Sequence, residues 1–243
     1  MVSILQVWQD ATVQFPNAKV MRSLFINKCF SSPTVWDNRF ADRNRQPFIN
    51  IESNSPKTRD KVAKALAARI KGQFVENPPK CLMPAWYIYR SPQHELHRVY
   101  YALGLYGMSH AVKVHWVKRP VVMTGYWFDR TTTTLADLFE DSPLPPETSS
   151  VYMFPKDLMK PDLTIFLDMG ELAVEELEDP NISDEKPAGW VSRYTNIFRT
   201  FPTQLKIQSY TWSGESAENV TESLLQMIQS QLGRSLEQLT AIK

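Results

Sequence analysis

Cysteine is scarce, long apolar runs are missing, and neither sign of charge dominates. The two cysteines of the 243 residues, Cys29 and Cys81, form neither a framework nor a C-x-x-C pair. That usage suits a reducing compartment or a single bridge, and both are read as ordinary thiols. No apolar run approaches the roughly 20 residues of a transmembrane helix, and no apolar leader core opens the chain, so no membrane span is expected. Lys+Arg number 27 against 26 Asp+Glu, a net charge of +1 with signs mixed along the chain. That balance removes the global electrostatic footprint of a nucleic-acid or anionic-membrane binder. No nucleic-acid partner is expected, and any anion recognition must be local. There is no G-x-S-x-G and no cysteine-histidine signature. His94 and His97, with His110 and His115 further along, lack an acidic third ligand at metal spacing, so no metal is expected.

The length suits one domain. Residues 1–46 read as an irregular N-terminal extension ending in "SSPTVWDNRFADRNRQP", and residues 47–243 as the domain proper. Lys19, Arg22 and Lys28 against the one acid, Asp10, give "KVMRSLFINKCF" a presequence-like character, from which a mitochondrial location is expected, with cytoplasmic the alternative. An arm packed on the domain is the other reading of the same residues. Trp8 and Trp36 either wrap onto the domain or anchor another chain.

From Pro47 onward strands and helices alternate. Phe48, Ile49 and Ile51 mark a short buried strand, followed by helical spacing at Val62, Ala65, Leu66 and Ile70. After the proline-punctuated "ENPPKCLMPAWYIYRSP" comes a long buried helix within "QHELHRVYYALGLYGMSHAVKVHWV". "RPVVMTGYW" is a strand, "TTTTLADLFED" a helix with threonine caps, and "DLTIFLDM" the clearest strand. "ELAVEELED" is a short acidic helix, and "VSRYTNIFRTF", "LKIQSYTW" and "AENVTESLLQMIQSQLGRSLEQL" read as helix, strand and helix. This alternation predicts an α/β domain with a parallel sheet covered on both faces.

The first unit, "FINIESNSPKTRDKVAKALAARI", has the strand, turn and helix order that often cradles a nucleotide phosphate, yet its turn contains no glycine. Together with "PPKCLMP", "HRVYYALGLY", "RPVVMTGYW" and above all "YMFPKDLMKPDLTIFLDM", it resembles the thymidylate kinase family, and within it the mitochondrial UMP-CMP kinase branch, over about residues 47–235. The resemblance implies a P-loop NTPase-like three-layer α/β/α fold of nucleoside monophosphate kinase type, transferring the γ-phosphoryl of ATP to a pyrimidine monophosphate.

That chemistry needs a Walker A loop, in which glycines let backbone N–H groups surround phosphate, lysine neutralises charge and a hydroxyl holds Mg²⁺. The matching positions here are Ser53, Thr58, Arg59 and Asp60, and Pro56 replaces another glycine while removing a backbone N–H. Arg59 can still reach a phosphate as a bidentate donor. Asp60 would repel a triphosphate, and is read as the cap of a helix beginning at Lys61, with direct ligation of Mg²⁺ the alternative. The family's Asp-Arg-Tyr run falls on Thr124, Gly125 and Tyr126. Asp129 and Arg130 lie five residues on, over 10 Å away along an extended chain, and read as the charged start of a helix.

The segment matching the family's arginine-bearing lid, "ELAVEELEDPNISDEKPAGW", is acidic, with Lys186 its one base; Arg193 and Arg199 follow it at helical positions. On the acceptor side Arg98 matches an arginine that contacts the monophosphate, and Tyr101 an aromatic of the base pocket. Core packing competes with a vestigial pyrimidine pocket as the role of Tyr100, Tyr101 and Tyr106.

The expectation is a catalytically inactive nucleoside-monophosphate-kinase-like protein, a pseudokinase acting as a binding or structural module with a protein partner. No cofactor is then expected; ATP and Mg²⁺ enter only if the chain is a divergent kinase acting on UMP, CMP or TMP. A nucleoside monophosphate sensor is the further alternative. Nucleotide binding, where kept, falls on Arg59, Arg98, Tyr101 and Tyr126. The resemblance also allows a homodimer through the long helix.

Overall fold

The computed structural model describes residues 18–29, 45–91, 93–170, 189–202 and 205–240. Five strands, β1 (Phe48–Ser53), β2 (Gln73–Val75), β3 (Val121–Thr124), β4 (Leu163–Asp168) and β5 (Ile207–Thr211), form one sheet in the order β2-β3-β1-β4-β5. Every pairing is parallel; Ile51 lies opposite Thr124 on one side and Ile165 on the other. A parallel sheet requires crossovers, and the alternation along the chain supplies them as helices.

Side chains of the central strands alternate between two cores. Ile49, Ile51, Val122, Leu163, Ile165 and Leu167 pack under α2 (Pro56–Arg69) and α7 (Ala217–Leu232). Phe48, Met123 and Phe166 face the opposite layer, made of α4 (His97–His115), α5 (Trp127–Leu138) and α6 (Trp190–Thr200). The expected α/β fold, with a parallel sheet between helical layers, is thus present.

Several boundaries differ from the sequence reading. Helix α5 begins at Trp127, with Tyr126 at its N-cap, so Thr131–Thr134 lie inside the helix and do not cap it. The final helical stretch breaks at Gly233, whose φ of 61° lies in the left-handed region, before the short α8 (Leu236–Thr240). The acidic helix expected over 171–179, and Trp8 and Trp36, lie outside the described residues.

Within the stretch read as irregular, Ala18–Leu24 is helical (α1) and continues as one π turn over Phe25–Cys29. Met21, Phe25 and Cys29 bury themselves against Leu82, Ala85, Tyr89, Leu96, Tyr100 and Leu103, a third apolar cluster formed with the 3₁₀ turn Met83–Ala85, α3 (Trp86–Tyr89) and α4. Cys29 is disulfide-bonded to Cys81, Cα to Cα 5.1 Å. The two cysteines are therefore not ordinary thiols. Spacing concealed the pair because packing of α1 brings together residues 52 positions apart.

Candidate functional site

Strand β1 buries Phe48, Ile49 and Ile51 with Asn50 among them and then turns to Glu52 and Ser53, and these last residues feed the end of the sheet that carries the candidate site. The connection to α2 is only Asn54 and Ser55, with Ser55 at the N-cap and Pro56 in the first helical turn. Proline suits that turn, because its fixed φ is helical and its missing N–H has no intrahelical role there. Lys57 and Thr58 are consequently helical, and the Arg59 amide donates to Ser55 O at 3.0 Å. The backbone therefore follows helix geometry through positions that a Walker A loop would hold open around an anion. Asp60 is the fifth residue of α2, so it does not cap a helix starting at Lys61; its Oδ1 accepts from Arg59 Nε at 2.8 Å.

Arg59 is only 7 % exposed and sits among three carboxylates. Besides Asp60, its Nη1 lies 3.2 Å from Asp129 Oδ1 and 3.7 Å from Glu52 Oε2. Glu52 is fully buried, and its two carboxyl oxygens accept the backbone N–H groups of Gly125 (3.0 Å) and Tyr126 (2.8 Å). Gly125 makes this approach with φ +66°, a conformation that any other residue adopts under strain. Asp129 accepts from Tyr194 Oη at 3.0 Å and pairs with Arg130 at 2.8 Å.

The electrostatics follow from burial opposed by pairing. Burial and the neighbouring Asp129 charge raise the Glu52 pKa to about 8, against the pull of Arg59 and the two amides. Burial pushes Asp129 upward, but Arg130 and Arg59 outweigh it and hold its carboxyl below the ordinary carboxylate range. Burial opposes the charge on Arg59; Asp129, Asp60 and Glu52 reverse that and raise its pKa, so it stays a cation.

Asp129 thus reaches the Arg59 guanidinium despite lying five residues beyond Thr124. The chain turns at Gly125 and coils at once, which places Asp129 in the first turn of α5 rather than along an extended strand. It is a buried partner of Arg59 as well as a charged residue at a helix start.

A second polar group lies beside the first. Asn54 donates to Asp168 Oδ1 (3.0 Å) and Thr195 Oγ1 (3.1 Å) and accepts from the Met169 amide, and Ser53 Oγ donates to Leu167 O at 2.7 Å. Arg199 joins it, with Nη2 2.9 Å from Asp168 Oδ2, whereas Arg193 donates to Ala136 O and Glu140 O on the other side of α6. On the β2 side, Asn77 Nδ2 donates to Gly125 O at 3.2 Å, tying the loop after β2 to the β3–α5 turn.

The remaining sequence candidates fall apart. Thr124 Oγ1 is buried without a hydrogen-bond partner among the described residues. Tyr126 is fully buried, its hydroxyl held by Ser109 at 2.5 Å and Met159 O at 2.9 Å, so it is a core residue. Tyr101 is half-buried and carries the Arg130 guanidinium 4.9 Å above its ring; Arg98, one turn earlier on α4, is exposed. Tyr100 is core, donating to Leu82 O at 2.9 Å. The four histidines form no metal-ligand group, and no cluster of three His, Cys, Asp or Glu capable of holding a metal occurs among the described residues. Lys186 and the segment 171–188 lie outside them.

Sequence reasoning missed Glu52, Asn54, Asn77, Tyr194 and Asp168 as members of the site. Glu52 had a signal: an acid directly ending an apolar strand must find partners when buried. The others carried none.

A five-stranded parallel sheet between helical layers, with a strand–turn–helix at the head of the central strand, is an α/β fold of the nucleoside monophosphate kinase type, and the likeness is one of fold. Among solved structures the chain is similar to thymidylate kinase from Candida albicans, at 16 % identity and TM-score 0.54 over 76 % of this chain and 92 % of that one. It also matches the YorR protein of Bacillus subtilis in complex with phosphorylated GDP (12 % identity, TM-score 0.45, 77 % and 99 % covered). A third match is shikimate kinase from Acinetobacter baumannii in complex with shikimate (12 %, TM-score 0.48, 76 % and 94 % covered). No protein-family model and no curated protein sequence matches the chain.

Proposed function

We propose that the chain is a pseudokinase, a nucleoside-monophosphate-kinase fold that serves as a binding or structural module and does not transfer phosphate. The observation that carries this reading is the position of Arg59. The one cation at the lysine position is enclosed by Glu52, Asp60 and Asp129, and its helix starts at Pro56, before the residues whose amides would have to surround an anion. An incoming triphosphate meets the charged carboxylates of Asp60 and Asp129 at that point, with the Glu52 carboxyl beside them, and it must break the pairings that hold Arg59. Loss of one preorganised electrostatic donor commonly costs roughly 100- to 1000-fold in rate, and here glycines, lysine and hydroxyl are replaced together.

Titration calorimetry with ATP and Mg²⁺ is expected to give no saturable heat at millimolar ligand. A coupled assay with UMP, CMP and TMP is expected to give no turnover. Turnover that disappears in Arg59→Ala would establish the divergent kinase instead.

A second reading, a monophosphate sensor, draws on the acceptor side. Exposed Arg98, one turn from the half-buried Tyr101 on which the Asp129-bound Arg130 stacks, offers a cation to the phosphate of a nucleoside monophosphate. A thermal shift with CMP or TMP that is absent in Arg98→Ala supports it; no shift with any monophosphate removes it.

A further inference from the structure

The segment Leu82–Tyr89 is apolar on both of its faces. Leu82, Ala85 and Tyr89 enter the third apolar cluster, whereas Met83 (47 % exposed), Tyr87 (71 %) and Ile88 (41 %) stand out from it with exposed Pro84 among them. Positions 83, 84, 87 and 88 share one side at helical spacing. Tyr87 is the most exposed large apolar side chain among the described residues. Contiguous exposed apolar side chains mark a contact surface, whereas scattered ones carry no such meaning.

Charge supplies an independent observation. Residues 77–94 contain Lys80 and Arg90 and no acid, and residues 18–29, joined to them through Cys29–Cys81, contain Lys19, Arg22 and Lys28 and no acid. All five cations are exposed, and none is ion-paired with a described carboxylate. Arg90 lies 4.7 Å over the ring of half-buried Trp86. In a chain of net charge +1, these two joined segments hold five of 27 basic residues and none of 26 acids.

We propose that this face is a peripheral docking surface for an anionic lipid bilayer. Met83, Tyr87 and Ile88 enter the headgroup region, and the five cations face acidic headgroups. A protein partner fits less well, because a standard interface needs about 800 Å² on each side and a rim of matched polar groups. A few apolar side chains on a segment of two turns, with Lys80 and Arg90 on it and the exposed acids Glu76 and Glu95 only at its ends, meet neither need. A bilayer demands no shape match, accepts an amphipathic tyrosine at its interface, and gains roughly fivefold in affinity for each Lys or Arg near an anionic surface. No described helix is long and apolar enough to cross a membrane, so the docking is peripheral. The assignment is independent of whether the chain transfers phosphate.

The test is co-sedimentation of the full chain, disulfide intact, with vesicles of phosphatidylcholine alone and with phosphatidylserine added. Binding is expected only to the phosphatidylserine vesicles, weakening as salt is raised. It is expected to fall by about tenfold or more in Tyr87→Asp/Ile88→Asp and in Lys80→Glu/Arg90→Glu, with thermal melting unchanged at these exposed positions. Polyglutamate forms a parallel arm. Binding to polyglutamate without vesicle binding overturns the lipid assignment in favour of an acidic protein. Absence of binding to either probe, or vesicle binding indifferent to both pairs of substitutions in folded protein, overturns the docking surface itself.

Discussion

Arg59 Nη1 and Asp129 Oδ1 stand 3.2 Å apart, 70 residues distant in sequence, and join the head of α2 to the first turn of α5. The pair belongs to a buried network with Glu52, Asp60, Arg130 and Tyr194. Here the cation at the head of α2 is held by the protein's own carboxyl groups. Such a network has a definite energetic signature, because its members are tolerable together and costly apart.

Arg59→Ala is therefore expected to lower unfolding free energy by about 1–3 kcal/mol, since it leaves Glu52 without a cationic partner and Asp129 with Arg130 alone. Urea denaturation measures it. A loss below about 1 kcal/mol, the value of a solvated surface pair, would show that the network is not formed. Asp129→Asn is expected to cost less, because Asp60 and Glu52 still face Arg59.

Glu52 makes stability depend on pH in a specific direction. Its folded pKa, about 8, lies above the ordinary 4.5, so the folded state binds the more protons between those values. Stability from this group is fully present below about 4.5 and is lost as pH rises toward 8, by up to about 1.4 kcal/mol per unit. His110 and His115, lowered by burial, act oppositely and lose stability as pH falls. The diagnostic is thus the difference between the native protein and Glu52→Gln. The native curve should fall more steeply between pH 5 and 8, and parallel curves would remove Glu52 as the titrating group.

Gly104 lies inside α4, where alanine is ordinarily favoured over glycine by about 1 kcal/mol. A Cβ at that position collides with Asn77 Oδ1, so Gly104→Ala must displace the side chain that holds Gly125 O. We expect destabilisation of about 1–3 kcal/mol, the cost of overpacking, and a much smaller effect in an Asn77→Ala background. A stabilising Gly104→Ala would mean that the close approach is absent.

The Cys29–Cys81 bridge closes a long loop, and its removal by Cys29→Ser/Cys81→Ser is expected to cost about 2–4 kcal/mol. Denaturant midpoints with and without dithiothreitol check this, with the double substitution insensitive to the reagent. Identical midpoints for the native protein in both conditions would indicate that the bridge does not form. The same reduction should raise proteolysis around 18–29, since α1 then rests on apolar packing of Met21, Leu24, Phe25 and Cys29 without a covalent tie.

The layered α/β architecture was legible because it follows from local rules. The run Leu163–Asp168 puts Leu163, Ile165 and Leu167 into one core and Phe166 into the other, as a central strand covered on both faces does, and the apolar spacing of Val62, Leu66 and Ile70 is that of a helix packed on a sheet. The replaced residues at 53, 56, 58, 59 and 60 could also be read directly, because each residue type has fixed hydrogen-bonding capacity and charge.

The partners of those residues could not be read. Whether Arg59 meets solvent, phosphate or protein depends on where the chain goes after Gly125, and an immediate helical turn brings Asp129 back over the site that an extended strand would have left. Asp60 changed from cap to ion-pair partner because Pro56 starts α2 one turn earlier. Cys29 and Cys81 met through packing of α1 across a separation that carries no local signal. By itself the sequence determined the alternation of strands and helices from Phe48 onward and the residue types at positions 53–60, since those rest on short-range propensity and side-chain chemistry. Tertiary structure alone decided which charges neutralise one another, because that depends on distances between segments remote in the chain.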